Sequence, residues 1–421
     1  MKRNGSYETG MIFLLSIAFG VVFFDRNATN YLSPYLVPEL GLNNTQVGMI
    51  SSGFSIAWAL AGLVGGRLSD GAGKRKSFLV AAFIIFSLCS FLSGIAASFA
   101  ILLLSRILMG VAEGPILPIS QSLVALESSA SRRGLNMGFM QNFGSNLIGS
   151  CFAPIVLGWL ADKYGWRNAF YIAGAPGLLL AVLIWKYIRE PQVHEVQPAA
   201  APGATAADTR NMTFFEMFRF RNLWVCTLMA ISMVPWMIFA WVFYPLYFQT
   251  VRHIPAQEAN YLMSVLGVSA AVFSFIVPGL SDRIGRKPVM IAFCAIGVLV
   301  PLAVMFFSGS LFMLGVIVFF AWSATGVFPL FMGTIPSETI PVKYIATSLG
   351  LVMGLGELIG GGAAPTVAGW AADAYGTLNA ALWIQAGLAV VGTGLAFLLK
   401  ETAPVKVGSV AAGLPAPQPA I

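Results

Sequence analysis

Charge is what this chain has least of. Asp, Glu, Lys and Arg make up 10% of its 421 residues, against about 25% in a soluble domain. Polar surface on that scale does not cover a water-facing exterior, so an ordinary soluble globular protein is excluded. Histidine is nearly absent, with only His194 and His253, both outside the apolar stretches. The four cysteines, Cys89, Cys151, Cys226 and Cys294, sit singly inside apolar stretches with no CxxC spacing. They read as small core residues, and neither a disulfide framework nor a metal site is expected. No GxxxxGK[ST] run occurs, which argues against ATP-driven work on a phosphate-binding loop. No small-residue cleavage site follows the first apolar run, which is too long for a signal peptide and is expected to remain as a helix.

Apolar sequence is abundant, at 57% of the chain. It falls into twelve stretches, near 10–37, 46–68, 77–97, 99–126, 136–161, 168–188, 223–249, 258–280, 288–308, 311–335, 344–371 and 377–399. Each is close to the roughly 20 residues that span a bilayer as a helix. Basic residues gather in alternate connections, around 74–76, 132–133, 186–189, 219–221 and 283–287, while the others hold only Lys163, Arg167 and Arg252. This asymmetry places both termini in the cytoplasm. It also explains the net charge of +7 without invoking nucleic acid. A multi-pass protein of a bacterial inner (plasma) membrane is expected.

The chain repeats itself at a spacing near 211 residues. Pro154, Gly158, Trp159, Ala161, Asp162, Tyr164 and Gly165 recur as Pro365, Gly369, Trp370, Ala372, Asp373, Tyr375 and Gly376. Leu68-Ser-Asp70 and Gly73-Lys74-Arg75 recur as Leu280-Ser-Asp282 and Gly285-Arg286-Lys287. Pro118 and Glu127 match Pro329 and Glu338. Duplicated six-helix halves are a common transporter design. The expected organisation is an N-terminal six-helix bundle over 1–189, a cytoplasmic linker over 190–220 with a short surface helix at 213–220, a C-terminal six-helix bundle over 221–401 and a disordered tail over 402–421.

Against this background the buried charges stand out, because a charge at the bilayer centre costs roughly 2.5–3.5 kcal/mol on insertion scales. Asp25 and Arg26 interrupt the first stretch, and Arg106 and Glu113 lie in the fourth. Seven residues of helix put Arg106 and Glu113 about 10 Å apart along the axis and on one face. They are too far apart to pair, with space between them for a ligand or water. Asp25 and Arg26 point about 100° apart and address different partners. Arg26 suits a bidentate carboxylate contact, and Asp25 is within reach of Arg106 or a polar group of the fourth helix. Two carboxylates that take protons and two arginines that hold an anion suggest a proton-coupled carrier of an organic anion. In that reading Arg26 binds the substrate, Asp25 and Glu113 carry protons, and Arg106 organises the network. The alternative is a static network locking two helices.

Glu357 is the one acid inside an apolar stretch of the second half, and its repeat partner is Asn146. It reads equally as a cavity or coupling residue and as an interhelical hydrogen bond. Gln141, Asn142 and Asn146 are open in the same way. Tyr31 and Trp58, with Phe328 and Phe331, are candidates to line the substrate's path. Trp236, Phe239, Trp241, Phe243, Tyr244 and Tyr247 of the seventh stretch read as interfacial anchors or as an aromatic cavity wall. Asp70 and Arg75, with Asp282 and Arg286, form either a cytoplasmic gate between the halves or solvated loop charges.

The loop from Gly66 to Lys76 and its partial copy at 279–287 resemble the loops after helices 2 and 8 of the major facilitator superfamily. Gly71 departs from that pattern, standing where a basic residue is usual. Asp25-Arg26 and Arg106-Ile-Leu-Met-Gly110-Val-Ala-Glu113-Gly114-Pro115 resemble the anion:cation symporters within it, although Spinster-like lipid carriers share a similar pattern. The resemblance implies an all-α membrane protein with twelve transmembrane helices in two pseudo-symmetric bundles. It implies a secondary active transporter rather than an enzyme, working by alternating access on a small carboxylate such as a sugar acid or an aromatic acid. No cofactor is implied, a proton gradient being the drive, and the expected partners are the organic anion, protons and the bilayer, with the protein a monomer. The other readings are a lipid or drug exporter of the same fold and a transporter-like receptor.

Overall fold

The computed structural model describes residues 5–72, 74–128, 133–190, 214–340, 344–403 and 405–406. Most of the 190–220 linker, Gly73 and the tail from 407 therefore lie outside the described residues, as do the side chains of Asp70 and Asn142. Among the described residues there is helix and no strand.

Twelve long helices follow one another: α1 Tyr7–Tyr31, α2 Asn44–Ala72, α3 Arg75–Gly94, α4 Phe99–Val124, α5 Asn136–Tyr164, α6 Trp166–Tyr187, α7 Arg221–Thr250, α8 Ala256–Ile284, α9 Arg286–Phe306, α10 Leu311–Thr339, α11 Thr347–Ala374 and α12 Asn379–Phe397. Eleven are long and apolar enough to cross a membrane on composition alone. The remaining helix, α2, is 29 residues long and carries the small residues Ser51, Ser52, Gly53, Ser55, Gly62, Gly65 and Gly66. Those small residues let neighbouring helices approach closely. The bundle's outer face is apolar, with Leu179, Trp185, Phe275 and Phe312 all strongly exposed, as a surface bathed in lipid requires. A four-residue helix, Phe214–Met217, lies within the surface helix expected at 213–220.

The two halves are built alike. In the first, α1 packs on α5 and α6, α2 on α4, and α3 on α4 and α6. In the second, α7 packs on α11 and α12, α8 on α10, and α9 on α10 and α12. The repeat extends to helix irregularities. A π-helical turn begins at Ser145 in α5 and another at Gly356 in α11, one repeat length apart. Such turns often mark functional sites. In the C-terminal half the packing continues past α12: Thr402 donates to Glu338 (2.6 Å) and Ala403 is fully buried.

The halves meet along two seams, α2 against α11 and α5 against α8. Glycines make these seams. A Cβ on Gly48 would stand 2.1 Å from the Pro365 carbonyl oxygen, and one on Gly369 2.1 Å from that of Asn44. A Cβ on Gly158 would meet Asn260, and one on Gly267 the Ser150 backbone. The repeated Gly-Trp-x-Ala-Asp motif is thereby explained. Gly158 and Gly369 permit the approach, and Asp373 then caps α2 from the opposite half. Its two oxygens accept from the main-chain N–H of Asn44 (3.0 Å) and of Thr45 (2.8 Å), and also from both side chains. Its repeat partner Asp162 instead accepts from Tyr35 (2.8 Å) inside its own half. Beside it, in the connection after α1, Glu39 is held below the usual carboxylate range by the Trp166 indole N–H and by Arg167.

Every hydrogen bond described between the halves lies at this far end or near mid-depth. Among the described residues, α11 meets α2 through the part of α11 from Gly356 onward, and α8 meets α5 through the part of α5 from Ser145 onward, so the described contacts between the halves thin toward the end that carries the termini.

Candidate functional site

α1 is interrupted at Asn27, just past Asp25 and Arg26. Arg26 therefore ends a helical segment, where a cation complements the helix dipole. Its Nε donates to Glu113 Oε2 of α4 at 3.0 Å. Three rings surround the guanidinium: Phe23 and Phe54 at 4.7 Å and Trp58 at 5.1 Å from centroid to Cζ. Cation–π contacts of this kind strengthen when desolvated. Arg26 retains 19% side-chain exposure while Glu113 has none. Its described hydrogen bond uses Nε alone, so the fork of Nη1 and Nη2 is turned to the accessible side.

Arg106 and Asp25 form a second, fully enclosed group. Arg106 Nη2 donates to Ser93 Oγ (2.7 Å) and Nη1 to the main-chain carbonyl of Asp25 (3.4 Å), with Phe170 beneath the guanidinium at 5.0 Å. Ser90 Oγ lies 2.7 Å from Asp25 Oδ1 and 2.9 Å from the Phe170 carbonyl oxygen. One hydroxyl proton thus stands between two acceptors. Asp25 Oδ2 and Glu113 Oε1 are both buried with no protein partner.

The pairing differs from the sequence expectation in its details. Arg26 meets a carboxylate, but that of Glu113, 87 residues away. Asp25 bonds through its carboxylate to α3, which the sequence reading had not considered, and to Arg106 only through its backbone. Arg106 and Glu113 have separate partners. Glu357, in the π-turn of α11, hydrogen-bonds Ser55 of α2 across the halves and lies within the field of Arg26. It therefore joins the Arg26 group at mid-depth. Trp58 belongs to the ring box. Tyr31 is fully buried, edge-on to Trp241 at 6.3 Å, with its hydroxyl unpartnered. Gln141 accepts from Gln121 of α4 (3.2 Å), while the Asn142 side chain lies outside the described residues.

The ring residues of α7 are neither interfacial anchors nor, for the most part, a cavity wall. Trp236, Phe239, Phe243, Tyr244 and Tyr247 are at most 1% exposed. Trp236 stacks on Trp322 (4.8 Å) and donates to the Gly297 carbonyl. Tyr244 donates to Gln385, whose amide donates back to the Trp236 carbonyl. They are the core of the C-terminal half. Phe331 is buried there too, with Phe328 against it at 5.0 Å. At the end carrying the termini, Arg286 bonds Asp282 (2.5 Å) and Glu338 (2.9 Å), and Glu401 caps the N–H of Arg286 and Lys287. Arg286 and Asp282 are thus engaged within their own half in this conformation. Arg75 is buried at the start of α3, and the side chain of Asp70, the fourth gate candidate, is not described.

Sequence reasoning missed Phe23, Phe54, Ser90 and Ser93. Signals for them existed. Phe23 precedes Arg26 by three residues and Phe54 precedes Trp58 by four, each a same-face spacing on a helix. Ser87, Ser90 and Ser93 form a hydroxyl stripe down α3, of the kind that satisfies polar neighbours within a membrane.

The profile of the Major Facilitator Superfamily matches residues 15–365 and, in an overlapping second match, 241–419. A probable 4-methylmuconolactone transporter of Cupriavidus pinatubonensis is 26% identical over 344 residues, covering 80% of this chain and 78% of that one. The hexuronate transporter of Bacillus subtilis is 32% identical over 191 residues, 45% of this chain and 44% of its own length. A bacterial homologue of the human lysosomal transporter Spinster, solved in an inward-facing and occupied conformation, is alike in structure with TM-score 0.74 at 19% identity, covering 93% of this chain and 96% of that one. That last likeness is one of fold.

Proposed function

The chain belongs to the Major Facilitator Superfamily, as a multi-pass membrane transporter resembling the anion:cation symporters, and from this we propose that it couples uptake of a small organic carboxylate to protons by alternating access. The observation that carries the proposal is the Arg26–Glu113 pair. Glu113 is wholly buried and takes only Nε, while three rings hold the guanidinium plane and leave its fork accessible.

The coupling follows from charge neutrality in a low-dielectric interior, where breaking a buried ion pair by removing one partner costs about 3–5 kcal/mol. When Glu113 takes a proton, Arg26 loses its counter-ion, and a substrate carboxylate supplies a new one. When the substrate leaves, Glu113 gives up its proton and closes the pair again. Anion and proton binding therefore reinforce each other. Asp25 is placed as a second proton site. If Ser90 turns its hydroxyl to the Phe170 carbonyl, a proton on Asp25 Oδ1 completes the chain toward Ser90. Arg106 ties α1, α3 and α4 together and does not reach the substrate. With termini on the cytoplasmic side, the end where the contacts between the halves thin faces inward. Asp282 and Arg286 then exchange their partners within their own half for partners between the halves when that side closes, with Asp70 and Arg75 as the matching gate residues of the other half.

Glu113→Gln keeps the shape and the hydrogen bond but fixes the neutral state. In proteoliposomes it should retain counterflow exchange of a carboxylate and lose accumulation driven by an imposed pH gradient. Accumulation at the wild-type level would refute Glu113 as the coupling site.

A further inference from the structure

Glu357 has no role in that cycle, yet its position is distinctive. Among the described residues, the other acids of the C-terminal half's spans, Glu258, Asp282, Glu338 and Asp373, lie near helix ends. Glu357 alone lies deep, in the π-turn Gly356–Gly361. At the matching point of the other half, in the turn Ser145–Phe152, the residue is the neutral Asn146. Its carboxylate bonds Ser55, and Ser55 lies between Phe54 and Trp58, two of the rings over Arg26. Gly361 keeps the spot open, since a Cβ there would stand 2.9 Å from Glu357 Oε1 and 3.1 Å from Ser55 Oγ. The site therefore has a cationic end on the N-terminal half and an acceptor end on the C-terminal half.

We propose that Glu357 sets the substrate class: a monocarboxylate bearing hydroxyl groups away from its carboxylate, with dicarboxylates excluded. This rests on the anion reading above and deepens it. Arg26 has one free fork, which accepts one carboxylate. The remainder of a substrate spanning the gap meets an acidic acceptor that has one protein hydroxyl for company. Substrate hydroxyls donate to it. An aliphatic tail offers nothing and leaves the half-buried carboxylate under-satisfied, and sites built for hydroxyls reject analogues lacking them strongly. A second carboxylate meets like charge, a penalty on the order of 100-fold in affinity for charges several ångströms apart at the effective dielectric of protein sites.

The test uses purified full-length protein and calorimetric or thermal-shift titration with D-gluconate, hexanoate and D-glucarate, which differ in hydroxyls and in charge at similar length. Wild type should bind gluconate at least about 10-fold more tightly than hexanoate and about 100-fold more tightly than glucarate. Glu357→Gln still accepts hydroxyl bonds but is neutral, and should close most of the gap to glucarate while holding gluconate within about 10-fold. Glu357→Asp should restore the discrimination, and Arg26→Ala should lose every ligand. An unchanged gluconate-to-glucarate ratio in Glu357→Gln overturns the assignment of Glu357 and leaves the anion site standing. Carboxylate binding that survives Arg26→Ala refutes the anion site, and this inference with it.

Discussion

The two halves of this molecule solve the same packing problem with different chemistry. Their helices pair in the same pattern, their π-turns begin one repeat apart, and each contributes a glycine of the repeated motif to a seam. At the repeat position of Asp25, however, the second half carries Trp236. Asp25 reaches Ser90 on α3; Trp236 reaches the Gly297 carbonyl on α9, the corresponding helix. One half satisfies its centre with ions and hydroxyls, the other with stacked rings and one amide. Buried ions are weak contributors to stability compared with well-packed apolar groups. Their clustering in one half therefore points to use there, while the other half, whose one deep acid among the described residues is Glu357 at the boundary between the halves, is a scaffold that holds shape while its partner changes protonation.

The largest test of this contrast is Arg26→Ala. It removes the anion site and strands Glu113, so carboxylate binding should be abolished, with a loss of about 3–5 kcal/mol of stability. Arg26→Lys keeps charge without the fork and should retain stability better than binding. Both effects are read from titration and from denaturation in the same detergent. Equal affinity in the alanine variant would make the N-terminal ions a structural network and erase the proposed difference between the halves.

Next is the seam, where the repeat partners Asp373 and Asp162 have diverged. Asp373→Ala removes a helix cap supplied from the other half, an interaction worth about 0.5–2 kcal/mol. Because the cap exists only while the far end is closed, its loss should raise the far-end-open population by roughly 2- to 30-fold. Asp162→Ala breaks a contact within one half and should leave that population unchanged. Distances between spin labels placed on α2 and α11 at the far end report both. Matching responses would show that the seam is symmetric after all.

Much of this organisation was legible beforehand, and the limits are physical. Spans, loop asymmetry and the repeat are local or periodic signals, and the twelve stretches lie close to the helices observed. The embedded ions were legible because each violates the solvent it sits in. Their partners were not. Arg26 finds Glu113 across 87 residues and Asp25 finds Ser90 across 65, and which faces of α1, α3 and α4 converge is decided by packing. The rings of α7 were misread for a related reason. Trp and Tyr suit both an interface and a core, and their polar tips look alike in sequence whether they meet water or, as Tyr244 does, Gln385. The Asp of the Gly-Trp-x-Ala-Asp motif was visible twice, but its work as a cap depends on α2 arriving from the other half.

The finest discrimination comes from two variants that each delete a single hydroxyl, one from each half. Tyr244→Phe leaves the buried Gln385 oxygen without its donor, and an unsatisfied buried acceptor costs about 1–3 kcal/mol. No ion is involved, so the variant should melt earlier while uptake keeps the wild-type dependence on pH. Ser90→Ala deletes a hydroxyl of similar burial, but one whose neighbour is Asp25. The cost in stability should be similar in size. In addition, the Asp25 carboxylate loses a hydrogen-bond donor, so the pH profile of uptake should move. Melting temperature and the pH profile of uptake, measured on both variants, separate the two halves. A pH profile that moves in Tyr244→Phe, or stays fixed in Ser90→Ala, would show that coupling does not reside where the buried charges are.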